Sequence, residues 1–200
     1  MLVRTYFNRK AVNWDRASSE RDTTKLERMA KRLDIKSGST VLDVGTGTGA
    51  FIPFLLSQLG EGGRIITLDF AEKMLRRVRA KDFNGNIDCL CADVTDIPLR
   101  NEIFDIIVCY SSFPHFQDKS RALAEMNRVI KRGGRLLICH TSSRASINEF
   151  HRQMPAVKND IIPDEGEMQI ILSKAGFIEI KIDDNSESYL ASAMKPSRVV

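Results

Sequence analysis

Long apolar runs are missing from this sequence of 200 residues. No apolar stretch approaches the roughly 18 residues that a membrane-spanning helix needs, and residues 1–7 lack the apolar core of a secretion signal. We therefore expect no membrane association and a cytoplasmic location.

Cysteine is also scarce, and its placement argues against a metal site. The four cysteines, Cys89, Cys91, Cys109 and Cys139, fall in strand-like apolar runs, where a thiol behaves as a small buried hydrophobic group. The C-x-C spacing of Cys89 and Cys91 is a weak signal for metal binding. We expect no metal.

The positive charge is too small to indicate a nucleic-acid partner. The formal net charge is +4, and the most basic predicted helix face, between Lys73 and Lys81, carries no interleaved aromatic residues on which bases could stack. A length of 200 residues with 42% hydrophobic content predicts a single domain with one sizeable core. Oligomeric state leaves no signal in the sequence.

A glycine-rich turn follows the first predicted strand, which lies at residues 41–44. Gly45, Gly47 and Gly49 come at alternate positions, and an apolar helical pattern begins at Ala50. Glycine permits positive φ and has no Cβ, so a large polar ligand can lie against such a turn and the helix behind it. Gly45, Gly47 and Ala50 also satisfy the dinucleotide fingerprint of NAD enzymes, so the turn alone leaves two classes of cofactor open.

Two aspartates at predicted strand ends narrow this choice. Asp43, two residues before Gly45, would repel the pyrophosphate of NAD but attract a cofactor with an ammonium and a sulfonium group. Asp69 ends the second predicted strand, 24 positions after Gly45, where an acid can accept hydrogen bonds from both hydroxyls of a ribose. Asp43 favours a cationic cofactor, and Asp69 supports any adenosine cofactor.

The periodicity predicts strands alternating with helices, closed by a hairpin. The predicted strands lie at residues 41–44, 64–69, 86–92, 104–110, 135–140, 177–183 and 188–194. Gly133 and Gly134 are expected to stop the helix that begins at about Ser120. A two-halved NAD domain would need a further parallel βαβ unit, for which no chain remains.

The string from Val41 to Gly49, VLDVGTGTG, resembles the first motif of class I S-adenosylmethionine-dependent methyltransferases. Residues 116–137 are similar to the helix, double-glycine and strand block of the ubiquinone and menaquinone methyltransferase-like group, methyltransferase type 11. The resemblance implies an α/β fold: a Rossmann-like, seven-stranded, mostly parallel sheet with a reversed last strand, in a three-layer αβα sandwich.

The resemblance also implies a cofactor, S-adenosyl-L-methionine, and a product, S-adenosyl-L-homocysteine. It places Asp43 at the cationic end of the cofactor, Asp69 at the ribose and Asp93 at the adenine amino group. Met74 has a second interpretation as part of the core stripe of its helix. The complete set of cofactor-binding residues predicted in this way is Asp43, Gly45, Thr46, Gly47, Gly49, Asp69, Phe70, Met74, Ala92, Asp93, Val94 and Tyr110.

Two segments are expected to cover the site within the single domain, 1–200. Residues 1–38 form an N-terminal cap segment and helix, whose string from Tyr6 to Asp15 resembles a segment that folds over the cofactor pocket in many small-molecule methyltransferases. Trp14 is equally well explained as a core anchor. Residues 141–163 form a polar insertion, which we interpret as a lid over the substrate site.

The substrate-side candidates are the histidines of the chain together with one arginine of the insertion. His115, His140 and the insertion should converge at the carboxyl ends of the strands, where open parallel sheets bind ligands. His115, His140, Arg144 and His151 are the predicted catalytic or substrate-orienting residues. Surface or capping roles for the histidines are the alternative.

These observations predict methyl transfer from S-adenosylmethionine to a small molecule. Residues 110–112 lack the patterns typical of methyltransferases that act on the bases of nucleic acids, which favours a small-molecule acceptor. An NAD-linked oxidoreductase and a non-catalytic S-adenosylmethionine-binding protein are the alternatives.

Overall fold

The helices and strands of the protein alternate through most of the chain. The computed structural model describes residues 3–16 and 22–197, so parts of the predicted cap segment, residues 1–2 and 17–21, lie outside it. The helices are α1 (Val3–Lys10), α2 (Thr23–Arg32), α3 (Ile52–Leu59), α4 (Glu72–Arg79), α5 (Lys119–Val129), α6 (Arg144–Arg152) and α7 (Glu165–Lys174). The strands are β1 (Thr40–Val44), β2 (Arg64–Asp69), β3 (Ile87–Cys91), β4 (Phe104–Tyr110), β5 (Ile130–His140), β6 (Ile178–Asp184) and β7 (Tyr189–Met194).

The strands form one seven-stranded sheet in the order β3-β2-β1-β4-β5-β7-β6. The pairs β1–β2, β2–β3, β1–β4 and β4–β5 are parallel, whereas β7 is antiparallel to both β5 and β6. The predicted mostly parallel sheet with a reversed last strand is therefore confirmed. The strand order reverses between β1 and β4, which is where open α/β sheets bind ligands.

Helices cover both faces of the sheet because the central strands are apolar on both faces. On one face, α2 and α3 bury Leu26 and Leu55 against β1 and β4. On the other face, α5 and α7 bury Met126 and Met168. The result is the expected three-layer sandwich. Among the described residues, no helix is both long and apolar enough to cross a membrane.

The double glycine does not stop α5, so that prediction was wrong. The helix ends at Val129, four residues before Gly133, because Ile130 turns to an extended conformation and pairs beside Phe104; both side chains are fully buried. Gly133 (φ +73°) and Gly134 lie in an irregular section of β5, where they exchange backbone hydrogen bonds with Lys195. Burial of a β-branched side chain, not glycine, sets this helix end.

Replacing Gly134 with alanine should destabilise the fold. An added Cβ would lie 2.7 Å from Ile130 Cγ1, 2.8 Å from the Lys131 carbonyl oxygen and 2.9 Å from that of Asp105, and backbone atoms cannot move aside cheaply. We expect Gly134→Ala to lower the free energy of unfolding by about 1–3 kcal/mol in urea titrations.

Gly166→Ala in α7 is the matched control. There the nearest atom to a new Cβ is Asp164 Oδ1, at 3.6 Å, so the helical position should accept alanine with a gain of about 0.4–1 kcal/mol. Equal stability of the two variants would contradict the packing of Gly134.

Candidate active site

A cavity of about 260 Å³ opens at the carboxyl ends of β1, β2, β3 and β4. Ten of the twelve predicted cofactor-binding residues line it: Gly45, Thr46, Gly47, Asp69, Phe70, Met74, Ala92, Asp93, Val94 and Tyr110. The other two, Asp43 and Gly49, lie outside its wall. We call this space the first cavity.

The turn after β1 forms the floor of the first cavity. The amides of Gly45 and Thr46 both donate to the Leu68 carbonyl, at 2.7 and 3.1 Å, which fixes the turn against the end of β2. Gly45 has φ +69°, and a Cβ there would lie 2.4 Å from the Ser112 Cβ, so only glycine fits. At Gly49 a Cβ would instead meet Ile52, so this glycine serves helix packing and does not line the cavity.

Asp43 lies beneath the turn and is only 2% exposed. Its carboxylate accepts a hydrogen bond of 2.6 Å from the Thr46 hydroxyl. This bond holds the turn in shape, and the carboxylate sets a negative charge under the cavity floor. Asp43 therefore acts on the cavity through Thr46 and through its charge.

Asp69 is the best-anchored acid of the first cavity. One carboxylate oxygen accepts from the Gly47 amide at 2.9 Å and the other from the Ala71 amide at 2.8 Å. Burial raises the pKa of Asp69 to about 6, although these two hydrogen bonds and the nearby His115 favour the charged form. At neutral pH, Asp69 is an ionised acceptor in the cavity wall.

Asp93 and the residues around it form the far end of the first cavity. Asp93 is exposed, and its Oδ1 accepts from the amide and the hydroxyl of Thr95, at 2.9 and 2.8 Å. Within the described part of the chain, its Oδ2 has no hydrogen-bond partner. Met74, only 1% exposed, both packs in a small cluster with Phe7 and lines the cavity, so its two interpretations are compatible.

The described wall of the first cavity carries carboxylates but neither lysine nor arginine. Three aspartates, Asp69, Asp93 and Asp118, line it, whereas no lysine or arginine does so among the described residues. Two phosphates of a dinucleotide would be repelled here, while an adenosine linked to a cationic chain would be attracted. The residues present fit S-adenosylmethionine by this criterion.

The N-terminal segment lies over the glycine turn. Phe7 and Trp14 line the first cavity, and Asp15 accepts a hydrogen bond from the Thr48 hydroxyl. Lys81 binds the same two residues: its ammonium donates to Asp15 at 3.2 Å and to the Thr48 carbonyl at 2.8 Å. These bonds fasten the segment to the turn and to the end of α4.

A second, larger cavity of about 670 Å³ adjoins the first. Phe7, Trp14, Ser111 and His115 line both cavities and therefore form the boundary between them. The second cavity is otherwise lined by α1, the segment after β5 and α6. Its aromatic and apolar wall residues include Tyr6, Ile147, Phe150, Met154 and Val157.

His115 is the predicted site histidine at this boundary. Its Nδ1 lies 2.8 Å from Asp160 Oδ2, and the His115 and Asp160 side chains are 15% and 11% exposed. Its ring contacts Phe7 edge-on and lies 4.9 Å, between centroids, from the ring of His151. The structure thus pairs this histidine with a carboxylate that lies in the insertion.

His140 and His151 line the second cavity. Burial lowers the pKa of His140 to about 3, with His115 and His151 acting in the same direction, so His140 is neutral at neutral pH. Its Nε2 is fully buried and has no hydrogen-bond partner in the described structure. Burial also lowers the pKa of His151, whose Nδ1 contacts the Asp160 carbonyl oxygen at 2.5 Å.

Arg144 lies outside both cavities. It is the first residue of α6, and its Nε forms an ion pair of 3.4 Å with Asp184 at the end of β6, while its amide donates to the same carboxylate at 3.0 Å. Because the guanidinium faces β6, Arg144 fixes the start of the insertion and does not reach the site.

Sequence reasoning missed Ser111, which lines the boundary, and Asp160, which contacts His115 from outside both cavities. Asp160 lies in an irregular segment with no periodic pattern, and only folding brings it to His115, 45 positions away. Ser111 has φ +52°, a conformation that side chains rarely adopt and that a sequence does not announce. Ser111 could have been identified from its position directly after β4, because the strand order reverses there and open sheets bind ligands at such points.

Comparison with known proteins agrees with this geometry. Residues 42–138 match a family described as a methyltransferase domain. The chain is 30% identical over 171 residues to the demethylmenaquinone methyltransferase of Staphylococcus carnosus, covering 83% of this chain and 70% of that protein. It is also 30% identical over 179 residues to a ubiquinone/menaquinone biosynthesis C-methyltransferase of Klebsiella pneumoniae, covering 85% and 66%. The chain thus spans about two thirds of the length of these curated relatives.

A solved structure supports the same family. The crystal structure of an S-adenosylmethionine-dependent methyltransferase from Aquifex aeolicus is 26% identical and superimposes with a TM-score of 0.75, covering 94% of this chain and 97% of that one. Sequence, fold and an acidic cavity at the glycine turn agree, and the chain belongs to the class I S-adenosylmethionine-dependent methyltransferases, in the group of the menaquinone and ubiquinone methyltransferases.

Proposed function

We propose that this protein transfers a methyl group from S-adenosylmethionine, bound in the first cavity, to a small-molecule acceptor bound in the second. The observation that carries this proposal is the shared boundary at Ser111 and His115, since transfer needs donor and acceptor in contact. Direct displacement requires the acceptor atom, the methyl carbon and the sulfur to lie in line, so alignment of two bound molecules supplies much of the catalysis.

The cofactor would be held by residues from three strand ends. The glycine turn, with the charge of Asp43 beneath it, would receive the cationic end, Asp69 would accept from the ribose hydroxyls, and Asp93 would accept from the adenine amino group. Phe70 and Met74 would flank the adenine, with Val94 at its edge. When bound, S-adenosylmethionine supplies an activated methyl group and leaves as S-adenosylhomocysteine.

The second cavity supports a small, largely apolar acceptor. Its wall is rich in aromatic and aliphatic side chains from α1 and α6 and carries one described lysine, whereas a nucleic acid would need a basic track. The two curated relatives are named for methylation in menaquinone and ubiquinone biosynthesis, which supports an acceptor with a ring that can stack on these side chains.

A direct test is to incubate the protein with methyl-labelled S-adenosylmethionine and fractionated metabolite extracts. Appearance of a labelled, extractable small molecule supports the proposal. Binding of S-adenosylmethionine without any labelled product from any fraction would instead favour a non-catalytic binding protein.

Asp69→Ala should weaken S-adenosylhomocysteine binding by about 1.5–3 kcal/mol, because a charged hydrogen-bonding partner of the ribose is lost. Isothermal titration calorimetry measures this directly. Asp82→Ala is the matched control, since Asp82 is exposed and lines neither cavity. Unchanged affinity in a folded Asp69→Ala variant would remove Asp69 from the cofactor site.

The affinity for S-adenosylhomocysteine should depend on pH through Asp69. The folded-state pKa of about 6 lies above the usual value, so Asp69 is protonated as the pH falls through 6 and then accepts the ribose hydroxyls less well. We expect full affinity above pH 6 and a loss approaching tenfold per pH unit below it.

His115 is the titratable group that acts on Asp69 from the cavity boundary, so the Asp69→Asn variant is measured over the same pH range. Its weaker binding should lack this titration. A wild-type affinity that stays constant from pH 7 to pH 5 would contradict the role of an ionised Asp69.

A further inference from the structure

Exposed apolar side chains collect around the opening of the second cavity. In the part of the chain that the structure describes, the large apolar side chains that are exposed belong to Val12, Phe150, Ile161, Ile170 and Ile178. Val12, Phe150 and Ile161 lie in the N-terminal segment and the insertion, the two segments that supply most of the wall of this cavity. Single exposed apolar residues are common on proteins, whereas a group of them around a cavity indicates a contact surface.

Phe150 marks the opening itself. It lines the second cavity from α6 and is 60% exposed, so it lies where the wall of the cavity meets solvent. Val12, 69% exposed, is in the turn after α1, between Lys10 and Asn13, which both line the cavity. Two exposed apolar side chains therefore flank the opening, one beside α1 and one on α6.

Basic side chains accompany these apolar ones. α1 carries Arg4, Arg9 and Lys10 and no acidic residue. α4, which contacts α1, adds Lys73 and Arg76 on its exposed face. Apolar side chains next to a basic surface are typical of proteins that lie in the headgroup region of a bilayer containing anionic lipids.

The charges and the placement of the apolar side chains favour a bilayer over a second copy of this chain. In a two-fold contact through this surface, the basic residues of α1 and α4 would face their own copies and repel each other. Val12 and Phe150 also belong to separate segments, and a fluid lipid surface receives such side chains without a complementary shape. The sequence prediction of no membrane association rested on the lack of a spanning run, which a protein on the bilayer surface does not need.

We propose that the surface formed by Val12, Phe150 and Ile161 with the basic residues of α1 and α4, here called the docking face, binds to bilayers that contain anionic lipids. The apolar side chains enter the headgroup region, and the cations bind lipid phosphates. Docking turns the opening of the second cavity towards the bilayer. The docking face goes beyond the proposed function and does not depend on it, because vesicle binding is measured without cofactor or acceptor.

Co-sedimentation of the protein with vesicles tests the docking face. At about 0.1 M salt, vesicles of phosphatidylcholine with about one third phosphatidylglycerol should bind the wild type at least about tenfold more tightly than vesicles of phosphatidylcholine alone. Raising the salt to about 1 M should remove most of this difference, because the Debye length falls from about 10 Å to about 3 Å.

Apolar substitutions separate insertion from simple charge attraction. The double variant Val12→Ser/Phe150→Ser should bind the anionic vesicles at least about tenfold more weakly, because less apolar area leaves water. Ile170→Ser/Ile178→Ser is the matched control: these residues are 55% and 43% exposed, lie on α7 and β6, and line neither cavity. The control should bind the vesicles as the wild type does.

A charge variant gives a second, independent measurement. Arg9→Gln/Lys10→Gln should weaken binding to the anionic vesicles by about fivefold for each charge removed, and should leave the weak binding to phosphatidylcholine unchanged. Circular dichroism and thermal melting check that each variant is folded as the wild type is. If one variant fails to fold, the other still tests the docking face.

Several outcomes would overturn the docking face. These are a wild type that binds neither kind of vesicle, folded Val12→Ser/Phe150→Ser protein that binds as the wild type does, and an equal loss in the Ile170→Ser/Ile178→Ser control. A wild-type dimer in analytical ultracentrifugation that Val12→Ser/Phe150→Ser abolishes, without vesicle binding, would assign the surface to a second copy of the chain. None of these results touches the proposed function, which fails only in assays of S-adenosylmethionine binding and methyl transfer.

Discussion

Asp69 joins two loops of the first cavity, where we propose that the cofactor binds. Its carboxylate, at the end of β2, accepts from the Gly47 amide in the turn after β1 and from the Ala71 amide at the start of α4. A buried carboxylate without hydrogen bonds would cost several kcal/mol, so these bonds are a condition of the fold as well as of the site. Burial still raises the pKa of Asp69 to about 6. The group is therefore ionised at neutral pH, and its oxygens could accept further hydrogen bonds from the hydroxyls of a ribose.

The second cavity, where we propose that the acceptor binds, depends on a different set of contacts. Asn148 and His151 bind the far end of the insertion to α6, and Asp160 in turn binds His115 beside the cofactor cavity. The N-terminal segment closes the other side, where Asp15 and Lys81 fasten it to the glycine turn. The strand ends thus line the first cavity, and the N-terminal segment and the insertion supply most of the wall of the second.

The parts that the sequence made predictable are those governed by local rules. Alternating apolar patterns predicted most of the strands and helices, whereas the reversed last strand and the ten predicted cofactor-binding residues that line the first cavity followed from the resemblance to class I methyltransferases. Asp69 was identifiable because the ends of neighbouring parallel strands meet at one edge of the sheet. Its two bonds to backbone amides depend on the exact course of the loops and could not be foreseen.

The remainder depends on contacts between distant segments. Burial of Ile130 beside Phe104 ended α5 before the double glycine, which periodicity alone does not reveal. Arg144 was predicted on the substrate side together with the histidines, yet it forms an ion pair with Asp184 of β6 and lies outside both cavities. Asp160 was not identified because its partner His115 lies 45 residues earlier and no motif links them.

The central claim is that an acidic cavity at the glycine turn selects a cationic adenosine cofactor over a dinucleotide. Isothermal titration calorimetry of the wild-type protein with S-adenosylmethionine and with NADH under identical conditions tests it most directly. We predict that S-adenosylmethionine binds at least about tenfold more tightly, a difference of about 1.4 kcal/mol. Equal or tighter binding of NADH would contradict the account.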